Sequence, residues 1–500
     1  MIRKGGGLLK DGGFNSGLIK LCSLSFLSDG VFSPGLLGLP TLTGAVSCEV
    51  SPTPVAAIFF HHIKIREKYG NVFSLQAGWN NIVVLNGFKV IKEALGKKAE
   101  DFSDRPSLPL LCMIGHKRNA AGLLLANYSN NWKQQRKFCM SVLKHFGMGK
   151  KTLEKRIREE AGYLCSELRS KRGSPFNPEY IMFNAVTNII CILTFGDRFE
   201  YNDEKFLKLI HLAENLMKAM ARVIPQVFSA GSWLAYIPGP HHNVLRLFKD
   251  FCGMLSEIVS EHKKTRDPTL ARDVIDEYLE EIEKDKGNPE TSFNEQNLIN
   301  VICDLFLAGA ETTSNTLLWG LFYMVLHPEI QQKVQEEIDN VIGRARPPMM
   351  EDQQKLPYTN AVIHEIQRAA DIAPIALPRA TYRDTEVDNF YIPKGTVILT
   401  MLTTVLKDET MWEKPHQFYP EHFLDANGQF VKHEAFLPFS LGLHVCAGEQ
   451  LAKMELFIFF ISLLQHFTLC IPENSPTPKE DRVFALTIPA PTLQICAIPR

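Results

Sequence analysis

One thiol in this chain stands apart from the rest. Cys446 lies in FSLGLHVCAG (Phe439 to Gly448), between Gly442 and Gly448 and directly before a helical pattern. A thiolate is the form of cysteine that binds metal, and its pKa falls at a helix amino terminus, where unpaired N–H groups point outward. The glycines permit a turn and a close approach, and Phe439 could shield the sulfur from water. Such a loop would present a sulfur to a flat, bulky partner. A single cysteine between glycines is weak evidence alone, so its weight depends on what accompanies it.

Three other groups accompany it. Ala308-Gly309-Ala310-Glu311-Thr312-Thr313 interrupts an otherwise apolar helical run with an acid and two hydroxyls, costly unless the site is wet or polar. Gly and Thr are poor helix formers, so a local distortion is expected there, although a threonine can also bond back to its own helix. Glu365 and Arg368 stand three residues apart in EIQR, on one helix face, with His422 of PEHF available as a third partner for a buried clamp. Exposed pairs of that kind are commonplace and worth little. Trp132 and Arg136 offer an indole donor and a guanidinium one turn apart, able to grip a carboxylate from two directions.

The elements that must carry these residues read as mainly helical with a minor sheet. Periodic segments run over 131–146, 152–171, 178–195, 204–223, 244–264 and 293–326. The last has a capping-box pattern, Ser292 with Glu295, and should stop before Pro328; at ~1.5 Å per residue it would reach about 50 Å. A short helix (Ile63 to Tyr69), strands in NVFSLQ, NNIVVLNG, ATYRDTEV and YIPKGTVILT, and a final helix from Gly448 through Gln465 complete the pattern.

Bulk properties exclude some functions. A 500-residue chain with 45% hydrophobic and 22% charged residues has ample material for a core, and a formal charge of −1 provides no case for nucleic acid as a partner. The 11 cysteines are scattered without a C-x-x-C pair, against a disulfide framework or a zinc site. No P-loop or dinucleotide fingerprint appears, so electrons for any redox chemistry must come from another protein.

In this order and at these separations the motifs resemble cytochrome P450 monooxygenases over about residues 61–500, and the texture of LPYTNAVIHEIQR and GEQLAKMELFIFF resembles the vertebrate microsomal second family, with the J-type fatty-acid epoxygenases nearest in feel. The resemblance implies a cytochrome P450 fold and haem b held by Cys446 as the thiolate ligand of the iron. It implies that Phe439 screens the sulfur, that Arg105, Trp132, Arg136, Arg379 and His444 bind haem propionates, that Glu311 and Thr312 guide water and protons to the bound dioxygen, and that Glu365, Arg368 and His422 lock the core. His444 departs from the family, which generally has arginine there, and Leu443 stands where a lysine is common; a neutral imidazole would give up a bidentate contact and hold haem less tightly.

The same resemblance implies a monooxygenase that inserts one oxygen atom from dioxygen into lipophilic substrates, polyunsaturated fatty acids such as arachidonate or foreign compounds, by hydroxylation or epoxidation. Substrate contacts would come from 107–125, 205–240, the helix before Thr312, 372–377 and 484–487. Partners would be NADPH-cytochrome P450 reductase and cytochrome b5, met by Lys133, Lys137, Lys144, Lys150 and Lys151. The location implied is the cytoplasmic face of the endoplasmic reticulum membrane, with residues 1–60 an atypical leader showing no clear anchor. Competing readings are a peroxide-rearranging isomerase of the same fold, which the Glu311-Thr312 pair argues against, and a non-catalytic or poorly haem-loaded haem protein.

Overall fold

The computed structural model describes residues 65–77, 80–106, 122–227, 239–267, 269–483 and 486–500. The leader read over 1–60 lies outside the described residues, as do 107–121, 228–238 and 484–485 of the expected substrate contacts.

Helices dominate. The longer ones, in chain order, are α1 (Asn130–His145), α2 (Lys151–Ser170), α3 (Glu179–Phe195), α4 (Glu204–Val227), α5 (Pro240–Thr265), α6 (Val274–Lys284), α7 (Glu295–Leu326), α8 (Pro328–Val341), α9 (Pro357–Ala370) and α10 (Glu449–His466). Their starts follow local chemistry: Ser129 caps α1 by accepting from the Trp132 N–H, and Pro328 and Pro357 sit in the first turns of α8 and α9, where a missing N–H costs nothing.

The long helix α7 is the axis of the fold. Its first turn is capped by Asn294, whose side chain accepts from the Asn297 N–H at 2.9 Å, and the Ser292–Glu295 box expected from the sequence does not form. Ser292 is instead buried, accepting from Gln135 Nε2 at 2.9 Å, so its hydroxyl ties α1 to the start of α7. The helix ends at Leu326, before Pro328, and stays regular through Gly309, where a distortion was expected. The glycine has a packing role: a Cβ there would lie 2.4 Å from Ile190 Cδ1, so it lets α3 press against α7. The polar run is absorbed by back-bonding, with Thr312, Ser314 and Thr316 hydroxyls donating to the carbonyls of Ala308, Ala310 and Thr312.

The main sheet has the order β1 (Val72–Ala77), β2 (Asn80–Leu85), β6 (Val397–Thr400), β3 (Arg379–Ala380), with β2 parallel to β6 and the other pairs antiparallel. Two-stranded sheets are formed by β4 (Thr385–Val387) with β5 (Phe390–Ile392) and by β7 (Phe467–Cys470) with β8 (Cys496–Pro499). A bridge between Asp104 and Ala380 draws two distant segments together, and with them their neighbours Arg105 and Arg379.

Candidate active site

The cysteine loop is shaped by its own backbone. Cys446 N–H donates to the Phe439 carbonyl at 3.0 Å and Val445 N–H to the Gly442 carbonyl at 3.0 Å. Ser440 and Gly442 take left-handed conformations, φ 61° and 82°, and a Cβ at Gly442 would lie 2.0 Å from the Leu95 carbonyl oxygen, so only glycine fits. Gly448 has an ordinary backbone, and a Cβ there would stand 4.0 Å from the Cys446 sulfur. Phe439 is half-buried.

Cys446 is exposed. Desolvation pushes its thiol above the ordinary cysteine value, and this outweighs the Gly448 N–H and the charge of Arg136, which favour the thiolate; Glu449 adds to the upward push. The depressed pKa expected from the helix terminus is therefore not reached by the protein alone. A bound metal cation would supply what the helix end does not, since a coordinating thiol deprotonates outright.

Cations converge on this loop from three elements. Arg136 of α1 donates to the Val445 carbonyl at 2.5 Å, Arg379 of β3 to the Leu441 carbonyl at 3.2 Å, and Arg105 to the carbonyls of Leu377 and Pro378 at 3.0 and 2.8 Å. Arg105 and Arg379 are buried, and the Nε of each lacks a partner. Desolvation and mutual repulsion pull Arg105 down to about 10 and Arg379 to about 9, and desolvation lowers Arg136. None of the three forms a salt bridge among the described residues.

His444 sits inside this cluster. Burial and the fields of Arg105 and Arg379 pull it down to about 2, so the ring is neutral. Its Nε2–H donates to the Ser103 carbonyl at 2.7 Å while Nδ1 accepts from Arg105 Nη2 at 3.3 Å. Both nitrogens are engaged, and the ring packs on Trp132 with centroids 4.4 Å apart. The Trp132 indole N–H in turn donates to the Leu123 carbonyl at 3.2 Å. Neither side chain leaves a donor free for an external carboxylate, unlike the arginines.

Along α7, Ala308 is exposed and Asp304, Glu311 and Thr312 are half-buried, a stripe at helical spacing that opens toward one side. Asp304, which the sequence reading passed over inside the apolar run VICDLFLAG, accepts from Leu123 and Leu124 N–H at 2.6 and 3.0 Å and holds that segment against α7. Burial pushes it up to about 6 against those bonds and the charge of Arg105. The charge of Arg105, which touches His444 of the cysteine loop, is thus also felt at the open stripe of α7. Glu311 is raised by burial and accepts a hydrogen bond from Thr487.

The expected clamp forms. Glu365 and Arg368 are fully buried and bidentate, both N···O distances 2.7 Å. Arg368 also donates to the carbonyls of Leu406, Pro415 and Gln417 at 2.8–2.9 Å. His422 Nε2 accepts from the Lys414 N–H at 3.0 Å, leaving Nδ1–H for Glu365 at 3.2 Å. Every charge in it is met, so it fastens α9 to the segment ahead of the cysteine loop. Lys133, Lys137, Lys144, Lys150 and Lys151 are all exposed on α1 and the start of α2.

Buried cations around an exposed thiol call for a ligand carrying anionic groups and a metal. Haem, with two carboxylates and an iron, fits that donor set. A sequence model of the family described as Cytochrome P450 matches residues 53–497, and the chain belongs to that family. It is a monooxygenase of the microsomal second family, drawing electrons from NADPH through a reductase, and its cofactor is haem b. The chain is 47% identical over 471 residues to cytochrome P450 2D14 of Bos taurus, covering 94% of this chain and 93% of that protein. It is 47% identical over 470 residues to cytochrome P450 2D6 of Homo sapiens, covering 94% of each, and 48% identical over 439 residues to cytochrome P450 2D15 of Canis lupus familiaris, covering 87% and 88%. These relatives are of the D type, and they do not support the J-type affinity expected from the sequence.

Proposed function

We propose that Cys446 is the iron ligand, that Arg105, Arg136 and Arg379 hold the haem carboxylates, and that Glu311 and Thr312 deliver protons. The observation that carries this reading is the unpaired cationic cluster around the cysteine loop. Three guanidiniums are held close together with no acid pairing them, an arrangement that a dianion would relieve.

Haem, when bound, supplies the activation of dioxygen. The protein's residues do the rest. Cys446 would hold the iron and donate charge to it through sulfur, and the loop hydrogen bonds fix the backbone that carries that sulfur. Phe439 flanks the loop. His444 and Trp132 serve as supports: His444 orients Arg105 through Nδ1, and Trp132 carries the imidazole on its ring. On this reading the histidine is a neutral brace that keeps Arg105 aimed, rather than a weakened propionate ligand. Glu311, half-buried and raised by desolvation, is an acid able to release a proton, and the Thr312 hydroxyl one residue on can pass it toward the open side of α7.

Substrates on this reading are lipophilic small molecules, hydroxylated or epoxidised; the D-type kinship removes the reason to favour fatty acids over foreign compounds. The exposed lysines of α1 and α2 suit an acidic reductase and cytochrome b5 by electrostatic steering. We place the enzyme at the cytoplasmic face of the endoplasmic reticulum; among the described residues no helix is long and apolar enough to cross a membrane.

Replacing Cys446 with alanine tests the central assignment. The reduced carbonyl form should lose the long-wavelength Soret band of thiolate-ligated haem, and a variant that keeps it would assign the iron to another residue.

A further inference from the structure

Thr487 comes from the carboxyl-terminal segment, 176 positions from Glu311, and is buried at 6% exposure. Its neighbour Ile488 is pinned on both backbone groups: the N–H donates to the Ile372 carbonyl at 2.8 Å, and the carbonyl accepts from Trp319 Nε1 at 3.2 Å. The Thr487 hydroxyl is therefore delivered to α7 by a fixed backbone.

Its hydroxyl makes two hydrogen bonds to α7. Asn315 Nδ2, one turn beyond Glu311 on α7, can only donate, and it donates to Thr487 Oγ1 at 3.3 Å. The hydroxyl proton of Thr487 is donated to Glu311 Oε1. An oxygen receiving that bond is the carbonyl-like one whenever Glu311 is protonated. We propose that Thr487 is a positioning residue for the oxygenation reaction, holding Glu311 by Oε1 so that its transferable proton resides on Oε2. This rests on the reading of Glu311 as the proton donor.

The charged groups facing Glu311 come from α4: Glu214, which raises its proton affinity, and Lys218, which lowers it, the two paired with each other at 3.3 Å. Burial raises the acid and Thr487 opposes it. In one cycle the Oε2–H bond breaks and the proton passes to a water oxygen on the open side of α7. The carboxylate left behind is steadied by the Thr487 O–H, and a proton from bulk water restores the acid. No electrons move in this step.

The test uses the haem-loaded enzyme with its reductase, in four forms: parent, Thr487→Val, Thr487→Ser and Glu311→Gln. Infrared pH titration without turnover reads the Glu311 carboxyl band, identified by its loss in Glu311→Gln. In Thr487→Val the band should move to higher frequency, because its carbonyl oxygen loses a donor, and its midpoint should rise by about one pH unit. Product formed per NADPH should fall about tenfold with KM unchanged; Thr487→Ser should restore all three readings. If Glu311→Gln uncouples turnover but Thr487→Val keeps the parental band, midpoint and coupling, this proposal is wrong and the proton-donor reading stands. If Glu311→Gln stays coupled, the acid is not the donor and both fall.

Discussion

Arg368 and Arg379 are both buried guanidiniums, at 0% and 2% exposure, yet their surroundings are opposite. Arg368 faces a bidentate carboxylate and three carbonyls and has no unmet donor. Arg379 faces other arginines, touches two carbonyls at 3.4 and 3.2 Å, and keeps an unpartnered Nε. A buried charge completed by its own fold is structural, whereas one left uncompensated stores binding energy for a ligand of opposite sign. Residue type and burial alone do not separate the two roles; the company of each charge does.

Breaking the completed site should have the largest effect. Arg368→Ala strands Glu365 in the interior and should cost about 3–5 kcal/mol of stability, read as a lowered thermal midpoint whether or not haem is present. Arg379→Met sharpens the contrast. Removing one of several repelling cations should leave the haem-free protein as stable as before or more so, while haem is retained about tenfold less well, measured by transfer to a competing haem acceptor. An equal loss of haem-free stability in both variants would erase the distinction.

A smaller effect is expected at Glu455, the acidic counterpart of the comparison. This α10 carboxyl is buried, neither oxygen completes a hydrogen bond, and Thr313 is the polar group facing it. Burial pushes it up to about 8 from an ordinary 4.5, so the folded chain holds this proton more tightly than the unfolded chain. Its stabilising contribution is complete below about 4.5 and is lost as pH rises through about 8. Glu455→Gln should flatten that decline in a thermal-midpoint series between those limits.

Helix extents were largely legible because a 3.6-residue apolar period survives any change of neighbours: α2, read over 152–171, spans Lys151–Ser170, and α7 stops where Pro328 requires. The clamp was legible because its strongest pair lies three residues apart on one helix. Asn294 displaced Ser292 as the cap because Ser292 had a partner in Gln135, 157 positions away. The strand pair β7–β8 was missed since two four-residue strands, Phe467–Cys470 and Cys496–Pro499, carry too little alternation to stand out.

The sequence by itself determined the helical architecture, the turn that exposes Cys446, and which side chains were able to ionise, all properties of local spacing and residue chemistry. Tertiary structure alone decided their electrostatic states. Desolvation by the protein packed around it raised the Cys446 thiol against its helix end, desolvation and the arginines drove His444 to neutrality, and a threonine from the far end of the chain reached Glu311. Desolvation and Coulomb interactions depend on what lies within a few ångströms in space, and no local pattern along the chain encodes that proximity.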